Sequence, residues 1–131
     1  MFRSLEHSSK GCHVGFNDKP LHSFLDEAYL DQYDSLLSQA REAVKDDAIR
    51  LWRVEKARLS IRYVRLMRGF LLKQELPKEE LNRFFADWES FGLTRIEEWC
   101  SPNTTRRALL RGKPVGAMLY SYWADEGPEE L

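Results

Sequence analysis

The stretch AIRLWRVEKARLSIRYVRLMRGFLLK, residues 48–73, decides the fold. From Ala48 to Arg68 it holds neither Gly nor Pro, so nothing in it interrupts an α-helix. Leu51, Val54, Ala57, Arg58, Ile61, Val64 and Leu71 recur at helical spacing on one face. Trp52, Leu59, Tyr63, Leu66 and Phe70 describe a second face. A helix apolar on two faces belongs in a central position, packed against more than one neighbour. Asp47, just before it, suits the N-cap, because its side chain can accept one of the unpaired N–H groups of the first turn.

Upstream, Leu30, Tyr33, Leu36, Leu37, Ala40 and Val44 build one apolar stripe, which predicts a helix over 30–45. Asp26 or Asp31 is positioned to cap it, and Lys45-Asp46-Asp47 closes it in a polar turn. Downstream, Pro77 reads as the first position of a third helix, with Glu79 and Glu80 in its first turn. Leu81, Phe84, Phe85, Trp88 and Phe91 form its buried stripe, and Gly92 is a natural stop. Three helices joined by short turns predict an antiparallel bundle.

The ends are less regular. Residues 1–29 are punctuated by Gly11, Gly15, Asn17, Asp18 and Pro20, with His13–Phe16 as a possible short strand. Residues 93–99 suit a short strand or a helical turn. Ser101 and Pro102 suit the N-cap and first position of a short helix to Arg111. The fold class expected is therefore mainly α: a three-helix bundle with an irregular N-terminal segment and a short C-terminal helix. Its parts are the irregular segment 1–29, the bundle 30–112, and an aromatic segment and acidic tail over 113–131.

The chain has 131 residues, the size of one domain, and is 43% hydrophobic, enough for a core. Its net charge of −1 gives the whole molecule no pull on nucleic acid or an anionic membrane, so neither is expected as a partner. No apolar run approaches the roughly 20 residues that cross a bilayer. The first ten residues lack the apolar core of a signal peptide, which taken literally indicates a cytoplasmic protein. Cys12 and Cys100 sit in no metal-ligand pattern, and their spacing neither requires nor excludes a disulfide.

A search for chemistry finds no catalytic residue, no metal site and no cofactor motif. His7, His13 and His22 are spaced by six and nine, which does not set two on one helix face for a metal. Glu79-Glu80 answers to the helix dipole. Glu97-Glu98, among aromatics, is the one carboxylate pair worth seeking in a cleft. Phosphate-cradling and nucleophile-elbow motifs are absent from the sequence.

Two groups remain as candidate binding residues. Arg58, Arg62 and Arg65 form a basic stripe at i, i+4 and i+7. The stripe reads either as a ridge for phosphate or a partner, or as ion pairs with acids such as Asp31, Asp34, Glu42 or Asp87. The acidic overall balance favours ion pairs. Tyr120, Tyr122 and Trp123 read as the chain end packing on the bundle, as a platform for sugar rings, or as a patch that docks on another domain.

Leu30-Asp31-Gln32-Tyr33, then Gln39-Ala40-Arg41-Glu42-Ala43, then the pattern RVExARLxxxYV over Arg53–Val64, carry a family resemblance. Leu81-Asn82-Arg83-Phe84-Phe85 and the run Gly92–Glu98 add to it. Over residues 13–99 the chain resembles the C-terminal helical region of the DUF4838 group of bacterial proteins, which look like glycoside hydrolases. The resemblance implies a polysaccharide-associated parent whose catalytic carboxylates lie in an upstream barrel. This chain is then a non-catalytic accessory domain that packs on that barrel or on another protein, with a glycan as a further partner. A secreted or periplasmic setting follows for such a parent. The resemblance assigns no catalytic residue to this segment. The alternative expectation is a standalone interaction module using Arg58, Arg62 and Arg65. A small enzyme at Glu97-Glu98 is the third.

Overall fold

A computed structural model describes residues 20–96 and 100–113. The protein is mainly α: a 3-10 turn at Ser23–Leu25, then α1 (Glu27–Ala43), α2 (Ala48–Leu71), α3 (Lys78–Ser90) and α4 (Pro102–Leu110). There is no β-strand among the described residues, and Leu93–Ile96 form neither strand nor helix. The chain divides into two compact units between Arg65 and Leu66, so α2 contributes to both.

In the first unit, α1 starts three residues ahead of the expected position, at Glu27. The reason is its cap: Asp26 Oδ1 accepts the Tyr29 N–H at 3.0 Å. Of the two candidate caps, Asp26 does this work and Asp31 lies inside the helix. Asp47 caps α2 as expected, accepting the Arg50 N–H at 3.0 Å.

Leu30, Tyr33 and Leu37 of α1 bury against Ile61 of α2, with Val54, Ala57 and Val64 packed around them. Tyr33 is fully buried, and its hydroxyl donates to the Phe24 carbonyl at 3.2 Å. That bond satisfies the one polar atom of the ring and ties the 3-10 turn to α1. Leu36, expected in the stripe, is 40% exposed. It stands about 100° around the helix from Leu37, at the stripe's edge. Trp52, expected on the second apolar face of α2, is likewise exposed.

In the second unit, Pro77 occupies the N-cap of α3 and not its first position. Its carbonyl accepts the Leu81 N–H at 3.1 Å, and the cap needs no N–H of its own. Leu81, Phe84 and Phe85 are buried, while Trp88 and Phe91 are half-buried. Phe84 meets Phe85 edge to face, with centroids 5.1 Å apart. Ser101 caps α4, accepting the Thr104 N–H at 3.2 Å, and Pro102 follows it as expected. Helix α4 packs on α3.

Helices α2, α3 and α4 end in the same device. The third residue past each helix donates its N–H back to a carbonyl five positions earlier: Gln74 to Gly69, Leu93 to Trp88 and Lys113 to Ala108. The residue just before that donor must turn left-handed. Gly92 and Gly112 do so at φ 71° and 66° without steric cost. At the end of α2 it is Lys73, at φ 55°. This cap ends α2 at Leu71, short of the expected 73.

Candidate functional site

The basic stripe of α2 faces acids of α1. Arg58 Nε donates to Asp34 Oδ1 at 2.8 Å, and its Nη2 donates to Ser38 Oγ at 3.1 Å. Arg65 bonds Asp31 through Nη2 at 2.7 Å and Glu27 through Nη1. Arg41 of α1 pairs in turn with Glu55 of α2 at 2.7 Å. As positions rise along α1 their partners fall along α2, so the ladder sets an antiparallel register beside the apolar seam. The Arg58 guanidinium, by its hydrogen bond to Asp34, holds that carboxyl below its ordinary value, and Asp34 raises Arg58 in return.

Arg58 and Arg65 are thus engaged within their own unit. Arg62 is half-buried between them. Of the acids named as partners, Asp31 and Asp34 serve as expected. Glu42 pairs instead with Lys45, at 2.7 Å. The ladder was open to sequence reading. Glu27, Asp31 and Asp34 repeat the i, i+4, i+7 spacing of Arg58, Arg62 and Arg65 on a neighbouring helix.

A surface that periodicity missed lies on the first three turns of α2. Ile49 is 69% exposed and Trp52 is 46% exposed. Lys56 Nζ sits 4.8 Å from the Trp52 ring centroid, a cation–π contact. Ile49 and Trp52 are three apart and Trp52 and Lys56 four apart, so the three lie in one row. Arg53 is exposed beside them.

The second unit carries an apolar groove of about 370 Å³. Phe70 and Leu71 at the end of α2, Leu76, Leu81 on α3, and Leu109 and Leu110 on α4 line it, together with Lys73, Gln74 and Gly112. Between α4 and α3, Arg106 donates twice to Asn82 Oδ1, at 2.8 and 2.6 Å. Thr105 is 1% exposed, and its hydroxyl is buried without a hydrogen-bond partner.

His22 stacks on Phe24 with centroids 5.1 Å apart, and Cys100 is buried. The expectations for His7, His13, the strand His13–Phe16, Cys12, Glu97, Glu98, Tyr120, Tyr122 and Trp123 fall outside the described residues. Among the described residues, no group of three or more His, Cys, Asp or Glu side chains is placed to hold a metal ion. No helix among them is long and apolar enough to cross a membrane. No protein-family model, curated protein or solved structure matches the chain.

Proposed function

We propose that this chain is a non-catalytic accessory helical module that docks on another folded domain through the start of α2. The observation that carries the reading is the row Ile49, Trp52 and Lys56, where two large apolar side chains stand 69% and 46% exposed. Single exposed apolar residues are ordinary on a protein surface. A tryptophan with an apolar neighbour and a flanking cation is the composition that anchors interfaces, because Trp buries a large area at small entropic cost. Trp52 also directly precedes the motif that carries the DUF4838 resemblance. In this reading the partner is the upstream catalytic domain of a glycoside-hydrolase-like parent, in a secreted or periplasmic setting. Nucleic acid and membrane surfaces have no part in it. The bundle expected of the first three helices belongs to the same proposal.

The alternative, a standalone module that binds through Arg58, Arg62 and Arg65, has less support. Arg58 and Arg65 already pair with Asp34, Asp31 and Glu27, and an external anion must compete with those carboxylates.

The test begins with the gene around this sequence, which identifies the adjoining domain. That domain is expressed separately and titrated with this chain by calorimetry. A one-to-one complex is expected, weakened about tenfold or more by Trp52→Ala, the effect of losing about 1.4 kcal/mol. Ile49→Asp is expected to act in the same direction. No second domain in the gene, or unchanged affinity in both variants, overturns the proposal.

A further inference from the structure

Ile49, Trp52, Arg53, Lys56 and Ser60 fall at i, i+3, i+4, i+7 and i+11 along α2, which sets them on one face about 17 Å long. The face carries two large apolar side chains and two cations. Between Ile49 and Ser60 the one acid is Glu55, and it is paired with Arg41 of α1 at 2.7 Å. Asp47, ahead of the face, pairs with Arg50 at 3.3 Å. Among the described residues, no carboxylate pairs with Arg53 or Lys56. We propose that the partner of this face is a protein surface with an apolar groove and carboxylates along its rim, where Ile49 and Trp52 enter the groove and Lys56 and Arg53 meet the rim.

The argument turns on Lys56. Its Nζ lies 4.8 Å from the Trp52 ring centroid, so a partner that covers the ring also strips water from the ammonium. A desolvated ammonium is strongly unfavourable unless a counter-ion replaces the water. Lys56 escapes burial only by giving up its ring contact. A wholly apolar or basic partner surface therefore opposes burial of Trp52, whereas a carboxylate at the edge of the Trp52 pocket favours it. Arg53 is exposed one position around the helix from Trp52, which widens the region that an acidic rim can reach. Anchors at i, i+3, i+4 and i+7 are the pattern by which a helix lies in a groove.

A lipid surface fits the face less well. An interfacial helix buries a broad apolar stripe, and on α2 Ile49 and Trp52 are the exposed large apolar residues. The proposal rests on the docking role of α2 and adds the chemistry of the partner.

The test titrates the full chain with the separately expressed adjoining domain by calorimetry, in sodium chloride from about 0.05 to 0.5 M. The dissociation constant is expected to rise about fivefold or more over that range. At the lowest salt, Lys56→Met removes the charge and keeps most of the stem. It is expected to weaken binding about fivefold or more, because the rim carboxylate loses its partner. A salt-independent complex that Lys56→Met tightens or leaves unchanged, and that Trp52→Ala still weakens, overturns the acidic rim and leaves the docking role standing. No complex at any salt overturns both. A third arm mixes the chain with vesicles of phosphatidylcholine and phosphatidylglycerol and follows Trp fluorescence. No shift is expected, and a blue shift lost in Trp52→Ala makes a lipid surface the complement of this face and overturns the proposal.

Discussion

In the first unit α1 meets α2 along a seam of Leu30, Tyr33, Leu37 and Ile61, with a ladder of Arg58, Arg65 and Glu55 against Asp34, Asp31, Glu27 and Arg41 beside it. In the second unit α3 packs on α4, with Leu81, Phe84 and Phe85 of α3 buried, and Arg106 of α4 bonds the neutral Asn82 of α3. The first pairing is specified by charge order along two long helices. The second is specified by aromatic shape and by capped turns. Charges beside the seam contribute little energy but penalise a slipped register, whereas ring packing supplies energy and leaves gaps where the rings do not fill. The two units also keep different open surfaces. The first has a protruding Trp52 and Ile49, and the second has a groove.

Truncation in the two seams is the strongest way to break that contrast. Phe84→Ala removes a ring that is 1% exposed and touches both Phe85 and Trp88, and about 3–5 kcal/mol of stability should be lost in chemical denaturation. Leu30→Ala, at a fully buried aliphatic site, should cost about 2–5 kcal/mol. A Phe84→Ala loss no greater than that for an exposed residue would remove the aromatic account of the second unit.

The next effect runs the other way. Thr105→Val replaces a buried, unpartnered hydroxyl with a methyl group of similar shape, and a gain of about 1 kcal/mol is expected. A loss on urea unfolding would mean that the hydroxyl is hydrogen-bonded in the folded chain. Lys73→Gly sharpens the role of the capped turns. Among the described residues Lys73 alone holds a left-handed turn without being glycine, so the substitution should stabilise by roughly 0.5–1 kcal/mol, against no gain at an ordinary surface lysine.

The smallest effect concerns the ladder. A double-mutant cycle on Arg58 and Asp34 should give a coupling of about 0.2–1 kcal/mol, reduced by salt. Its pH dependence has a defined sign. Asp34 is held below its ordinary value in the folded chain, so the pair's contribution is complete above the unfolded carboxyl value of about 4 and is lost as pH falls through the lower folded value. A coupling that grows on acidification would contradict the ladder.

Helix existence was legible because periodicity, caps and breakers are local. The uninterrupted run 48–68, Ser101-Pro102 and Gly92 each depend on neighbours a few positions away. Boundaries moved where a backbone choice was not written in residue type. Lys73 adopts a conformation that glycine would have announced, and Asp26 capped α1 where Asp31 was equally suited by type. The ladder was half legible: both stripes show in the sequence, but which acids meet which arginines depends on helix register.

The sequence alone determined a mainly α chain, its caps and its apolar stripes, since these follow from the preferences of single residues and their neighbours within a turn or two. Only the tertiary structure decided that Trp52 and Ile49 face outward, that Arg58 and Arg65 are engaged by α1, and that α3 and α4 leave a groove beside Gly112. Those facts depend on which helix face meets which, and helix-face pairing is set by the packing of residues far apart along the chain.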